Sequence, residues 1–170
     1  MIDVNNIKVS IVCITYNQAD YIRDALDSFL NQKTNFEYEV LIHDDASTDG
    51  TAEIIREYQS KYPETITAVL QKENQYSKGI KVATTYLYPK VHGKYVAFCE
   101  GDDYWTDVNK LQKQFDYMET HEDCSMCMHN GLNVSKDKST VFYSKPLSNK
   151  PTKYGVEDAI KGLGIKTVTN

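Results

Sequence analysis

Three carboxylates fall within four residues at Glu100-Gly101-Asp102-Asp103, directly after the apolar run Tyr95-Val96-Ala97-Phe98-Cys99. That run reads as a buried strand, so the acids stand at a strand's carboxyl end. Like charges at close range repel, and taking them out of water costs free energy. A divalent cation such as Mg or Mn relieves that cost. It takes oxygen ligands, and one or two carboxylates with substrate phosphates are a common set. The plainer reading is an acidic turn that caps the next helix. A second acidic end, His43-Asp44-Asp45, follows Tyr38-Glu39-Val40-Leu41-Ile42. There Ser47-Thr48-Asp49 reads as capping, with Asp49 as N-cap. Asp44 and Asp45 come before that cap and are not explained by it. A third polar turn, Thr15-Tyr16-Asn17-Gln18, closes the β-branched run Ile7 to Ile14.

The elements that must position these turns follow from hydrophobic periodicity. Strands are predicted at 7–14, 38–42, 65–70, 95–99 and 124–129. A helix with the stripe Ile22, Leu26, Phe29 and Leu30 lies between the first two strands. A second carries Ile55, Tyr58 and Tyr62 and stops at Pro63. A short helix spans Ile80 to Leu87, and another presents Val108, Leu111, Phe115 and Met118. The order is β-α-β-α-β-α-β-α-β. It predicts one α/β domain over 1–170, a doubly wound and mainly parallel sheet with right-handed crossovers. Ligands of such sheets sit outside the carboxyl ends of the strands. Beyond 129 the reading is polar turn at 133–141, loop at 142–151 and a short helix at 154–161.

Composition narrows the partners. A chain of 170 residues with 41% hydrophobic residues is long enough for one buried core. The net charge of −5 argues against a nucleic-acid partner. No apolar run approaches the roughly 20 residues of a membrane span, and the N-terminus has no signal-peptide pattern. Cys13 and Cys99 lie in strand-like runs, as buried free thiols of a reducing compartment do. Cys124 and Cys127 have CxxC spacing, but no second Cys/His pair accompanies them. The expected location is cytoplasmic or peripheral at the inner face of a membrane.

The three turns together resemble the family 2 glycosyltransferases, inverting enzymes with the glycosyltransferase-A fold. The matching stretches are Val9-Ser10-Ile11-Val12-Cys13-Ile14-Thr15-Tyr16-Asn17, Asp44-Asp45-Ala46-Ser47-Thr48-Asp49-Gly50-Thr51, and Glu100-Gly101-Asp102-Asp103-Tyr104-Trp105-Thr106-Asp107 running on through Lys110-Leu111-Gln112. The resemblance implies transfer of a sugar from a nucleotide-diphosphate sugar, a UDP-sugar above all, to a glycan or lipid-linked acceptor. Residues 7–105 would be the nucleotide-binding half and 106–170 the start of the acceptor-side half. Thr15, Tyr16 and Asn17 would line the base pocket. Asp45 would accept a hydrogen bond from the base's ring N–H. Asp102 and Asp103 would be the D-x-D element, with Asp103 on the divalent Mn or Mg and Asp102 on the ribose or the same metal. Glu100 would orient them, and Trp105 would pack near a sugar or in the core.

Two departures from the family stand out. Where the family often has an arginine after the third strand, this chain has Lys78-Gly79-Ile80-Lys81. Lys78 or Lys81 could replace it as a point charge without a bidentate fork. The family's general base lies well beyond the D-x-D element, past Asn170, so the chain reads as a truncated piece that binds nucleotide without transferring sugar. No catalytic base is assigned; His129 reads as structural. A nucleotide-sugar-binding module without turnover is the alternative. A sugar-phosphate nucleotidyltransferase lacks its Gly-rich loop here, and a phospho-acceptor receiver leaves Asp102-Asp103 unexplained.

Overall fold

The computed structural model describes residues 6–135 and 141–143. The chain divides into compact units Met1–Phe115 and Asp116–Asn170. In the first unit β1 (Ile7–Thr15), β2 (Glu37–Asp44), β3 (Ile66–Leu70) and β4 (Tyr95–Phe98) form one parallel sheet in the order β3-β2-β1-β4. Helix α1 (Ile22–Leu30) joins β1 to β2, and α2 (Thr51–Lys61) joins β2 to β3. The chain then crosses back to lay β4 on the far side of β1. The strand order therefore reverses between β1 and β4, the switch point where such sheets open a crevice. Register pairs Thr15 with Asp44 and Val12 with Phe98, so the carboxyl ends of all three strands face the same way.

Alternation along the strands makes the two faces. Val9, Ile11 and Cys13 of β1, with Val40 and Ile42 of β2, bury against Ile22, Leu26 and Phe29 of α1 and Ile55 of α2. On the other face Val12 and Leu41 pack on Leu87, from an irregular helical stretch made of a wide turn, Ala83–Leu87, and a tight one, Tyr88–Lys90. Helical cover on both faces is the doubly wound arrangement expected. Among the described residues no helix is long and apolar enough to cross a membrane.

β4 departs from the expected buried strand. Tyr95 and Ala97 pack inward, but Val96 and Phe98 are each 45% exposed. β4 is last in the sheet order, and the irregular helical stretch packs on β1 and β2 instead. Its start is held by a polar cluster built on the buried Ser10 and Glu39. The Ser10 hydroxyl donates to Glu39 Oε1 (2.6 Å), and the His92 backbone N–H donates to the same oxygen (2.9 Å). His92 Nδ1 lies 3.0 Å from Glu39 Oε2, and the Gly93 N–H donates to Ser10 Oγ (2.9 Å). A Cβ on Gly93 would stand 2.5 Å from the Ser10 nitrogen. This anchorage fixes where β4 begins, and hence where the acids at its end land.

Helix α3 (Lys110–Thr120) follows the acidic turn. The strand expected at 124–129 is absent. Cys124 closes a turn on itself instead, its N–H donating to the His121 carbonyl (2.8 Å) and its Sγ to the Met126 carbonyl (3.1 Å). Pairing begins later, where β5 (Leu132–Val134) runs antiparallel to β6 (Val141–Tyr143) through stretches read as turn and loop. The helix expected at 154–161 lies outside the described residues.

Candidate functional site

The site is built on the end of β1. Past β4 the ladder continues, with the Cys99 N–H donating to the Val12 carbonyl (3.1 Å) and the Gly101 N–H to Ile14 (3.0 Å). The acidic turn therefore begins against Thr15. A Cβ on Gly101 would stand 2.7 Å from Thr15 Cβ and 2.6 Å from Gln18 Oε1. Only glycine lets the turn approach this closely. The Asp103 N–H closes the turn on the Glu100 carbonyl (3.2 Å). Asp102 is exposed, and Glu100 and Asp103 are half-buried. Burial, and then the charge of Asp102, push the Glu100 carboxyl above the usual carboxylate range.

Among the described residues no three metal-ligating side chains are gathered into a cage. The donor set is instead an open carboxylate turn whose members repel one another. That suits a hard cation completed by a ligand's phosphates, not a closed protein site. Trp105 belongs to the core: it is 6% exposed, its ring centroid is 4.9 Å from that of Phe29, and Lys110 Nζ lies 4.0 Å from its own.

On the other side of β1 the loops after β1 and β2 are knitted together. Thr15 is buried, its hydroxyl on Gln18 Oε1 (2.7 Å) and its carbonyl accepting the Asp45 N–H (3.1 Å). Tyr16 is 48% exposed at the mouth. Asn17 is exposed in the left-handed region, φ 53°; its N–H donates to Ser47 Oγ (2.8 Å) and its Oδ1 accepts the Thr48 N–H (2.8 Å). Ala46 is also left-handed, φ 64°. Asp49 does not cap α2 from the N-cap position, which is Gly50. It takes the Thr51 N–H and hydroxyl on Oδ1 and the Ala19 N–H on Oδ2. Slight burial pushes its carboxyl up, but those bonds win and hold it below the usual range.

Asp45 is 4% exposed. Its Oδ1 accepts the Gln75 N–H (2.8 Å) and its Oδ2 the Tyr76 N–H (2.9 Å). Each oxygen takes one backbone N–H and keeps a further lone pair, which leaves room for the ligand N–H that the sequence reading gave it. Lys78, on the same turn, is exposed and ion-paired with Glu73. Behind them lies a buried polar group that the sequence reading missed. His43 is fully buried, stacks on Tyr86 with centroids 5.4 Å apart, and sets Nε2 3.2 Å from Gln71 Nε2. Its Nδ1 has no partner. Burial lowers its pKa, although Asp45 and Asp44 pull the other way. The sequence reading ended the strand at Ile42 and left His43 in the acidic turn, whereas β2 runs on to Asp44 and buries it. Thr15, Asp45 and the turn of Asp102 and Asp103 are thus brought to one end of the sheet, while His129 lies in the other unit with Nδ1 2.9 Å from the Asn130 carbonyl.

Comparison with known proteins agrees with this geometry. The model of Glycosyl transferase family 2 matches residues 10–160. An uncharacterized protein of Mycobacterium bovis is 43% identical over 140 residues, 82% of this chain and 40% of that protein. The Escherichia coli protein WfaP, a UDP-Glc:alpha-D-GlcNAc-diphosphoundecaprenol beta-1,3-glucosyltransferase, is 34% identical over 67% of this chain and 42% of its own. The structure of S. aureus TarS 1-349 in complex with UDP-GlcNAc superposes with a TM-score of 0.58 at 28% identity, covering 68% of this chain and 32% of that TarS 1-349 chain. The chain spans about two fifths of the length of the curated relatives it matches.

Proposed function

The chain belongs to glycosyl transferase family 2, and from that membership we propose that it serves a metal-dependent, inverting transfer of sugar from a UDP-sugar to a glycan or lipid-linked acceptor. The observation that carries this is the junction at Thr15. It places the acidic turn of β4 on one side of β1 and the Asp45 loop on the other, at the carboxyl ends of the sheet. The nucleotide lies across that junction. Its base faces Thr15, Tyr16, Asn17 and Asp45, and its ribose and diphosphate face Asp102, Asp103 and Lys78. Asp103, with Asp102, would hold a divalent cation, Mn or Mg, which when bound offsets the charge growing on the leaving diphosphate. The UDP-GlcNAc complex of TarS and the UDP-glucose donor of WfaP support the choice of nucleotide. The lipid-linked acceptor of WfaP supports the acceptor class; action in the cytoplasm or at the inner face of a membrane belongs to the same proposal.

In the transfer the acceptor oxygen attacks the anomeric carbon while the bond from that carbon to the diphosphate oxygen breaks. The electron pair leaves with the diphosphate. The acceptor's proton must pass to a base within hydrogen-bond reach. None of the described carboxylates is assigned that role. The test is UDP release from a panel of UDP-sugars with Mn, with and without glycan and lipid-diphosphate acceptors. Release with at least one donor, lost on removing Mn, is expected. No release from any donor, by this chain or by a longer form carrying the acceptor-side region, would refute the reading.

A further inference from the structure

Helix α3 opens on a lysine that stands beside the acidic turn. Trp105, two residues past Asp103, is held in the core by Phe29, and Lys110 Nζ lies 4.0 Å from the centroid of its ring. An ammonium over an indole face is attracted by the ring, most strongly where water is excluded. The same nitrogen donates to Gln114 Oε1 (2.6 Å), one turn along α3. The start of the helix is fixed to the end of α1. Gln32 Nε2 donates to the Asp107 carbonyl (3.0 Å), the Leu111 N–H donates to Gln32 Oε1 (3.0 Å), and the Lys33 N–H donates to the Val108 carbonyl (2.7 Å). The acidic turn is fixed from its other side, where Gly101 meets Thr15 and Gln18. Lysine and acids are thus carried by rigid elements and keep one spacing. The buried Cys99 thiol feels both. Burial pushes it up to about 12, Asp103 adds to that push, and Lys110 opposes it more strongly than Asp102 or Glu100 adds to it.

Resting on the cation reading above, we infer that Lys110 is the turn's own counter-ion, a positioning residue that holds Glu100, Asp102 and Asp103 together before a divalent cation binds and that sets how tightly the cation is held. An opposite charge beside a group of carboxylates offsets their repulsion. Trp105 and Gln114 keep the ammonium from swinging out to solvent. The charge remains in place when Mn or Mg binds, so it repels the ion. Lys110 therefore stabilises the empty turn and weakens the filled one. These opposite effects separate it from a lysine that serves packing alone, whose loss would not tighten cation binding.

The experiment reads two quantities on one set of proteins: Mn affinity by calorimetry, with and without UDP, and melting temperature with and without Mn. The proteins are the parent chain, Lys110→Met, Lys110→Arg and Lys113→Met. Methionine keeps an apolar stem on Trp105 and loses the charge, whereas arginine keeps the charge. Lys113 is exposed and paired with Asp107 (2.7 Å), and serves as the control lysine on the same helix. Without Mn, Lys110→Met is expected to melt below the parent. It is nevertheless expected to bind Mn roughly three- to thirtyfold more tightly, the scale of one full charge acting on a divalent ion near a protein surface. Its rise in melting temperature on adding Mn should exceed the parent's, as tighter binding to the folded state requires. High salt should shrink the difference in affinity by screening the repulsion. Lys110→Arg and Lys113→Met are expected to bind Mn within about twofold of the parent, the first because the charge is kept and the second because an exposed pair contributes little. Mn affinity in Lys110→Met equal to or weaker than the parent's would overturn the inference. So would an equal gain in Lys113→Met. Should Lys110→Met fail to fold, Lys110→Gln is read in the same way. A parent chain that binds Mn neither alone nor with UDP would remove the cation reading itself, and this inference with it.

Discussion

Gly101 has no room for a side chain. A Cβ there meets Thr15 Cβ at 2.7 Å and Gln18 Oε1 at 2.6 Å, so Gly101→Ala must push the acidic turn away from β1. Overpacking of this kind costs about 1–3 kcal/mol. Urea unfolding should show a loss of that size, and an unchanged midpoint would mean that the turn sits more loosely than described. Ala46 is the converse case. At φ 64° its side chain is strained by about 1–2 kcal/mol, part of which glycine returns as freedom of the unfolded chain. Ala46→Gly should raise the urea midpoint slightly, by up to about 1 kcal/mol in stability; a fall would show that the strain is not there. The acids themselves were legible in the sequence, because they are contiguous and follow an apolar run. The hold of Asp45 on the chain was not, because its partners are two backbone N–H groups about 30 residues away with no side-chain signature. Trp105 was left open between ligand and core, since one aromatic residue suits either; its contact with Phe29 decides for the core.

At the scale of elements, β1 and β2 were legible because strands buried on both faces read as unbroken apolar runs. The same rule misled for β4. Tyr95-Val96-Ala97-Phe98 is equally apolar, yet as the last strand of the sheet it turns Val96 and Phe98 to solvent. The alternation at 124–129 misled for a different reason: local turn bonds at Cys124 outweigh a weak strand pattern. β2 carries the element-scale prediction. Its His43 is buried with a pKa below the ordinary imidazole value of about 6.5. The unfolded chain therefore binds a proton that the folded chain resists. Stability is full above about pH 6.5 and falls as pH drops from there toward the lower folded value. Denaturant midpoints at pH 7.5 and 5.5 should show this loss, and His43→Leu should show a smaller one whatever its overall stability. Equal losses in both proteins would mean that His43 does not titrate in this window.

For the whole molecule, chain order and right-handed crossovers predicted a doubly wound sheet, and the sheet is there. Its strand order was not legible, because nothing local in β4 says that it returns beside β1 and not beyond β3. That return sets the acidic turn and the Asp45 loop on opposite sides of one strand. It requires the anchorage of β4 by Ser10, Glu39 and His92 at one end and the approach of Gly101 at the other. The central claim is that this end of the sheet holds a nucleoside diphosphate through a divalent cation on the β4 turn. The most direct measurement is calorimetric titration of UDP into the chain and into Asp103→Ala, each with Mn and with chelator. Saturable binding by the parent only with Mn, and its loss in Asp103→Ala even with Mn, is the result expected. UDP affinity in Asp103→Ala equal to the parent's, with the same dependence on Mn, would contradict the claim.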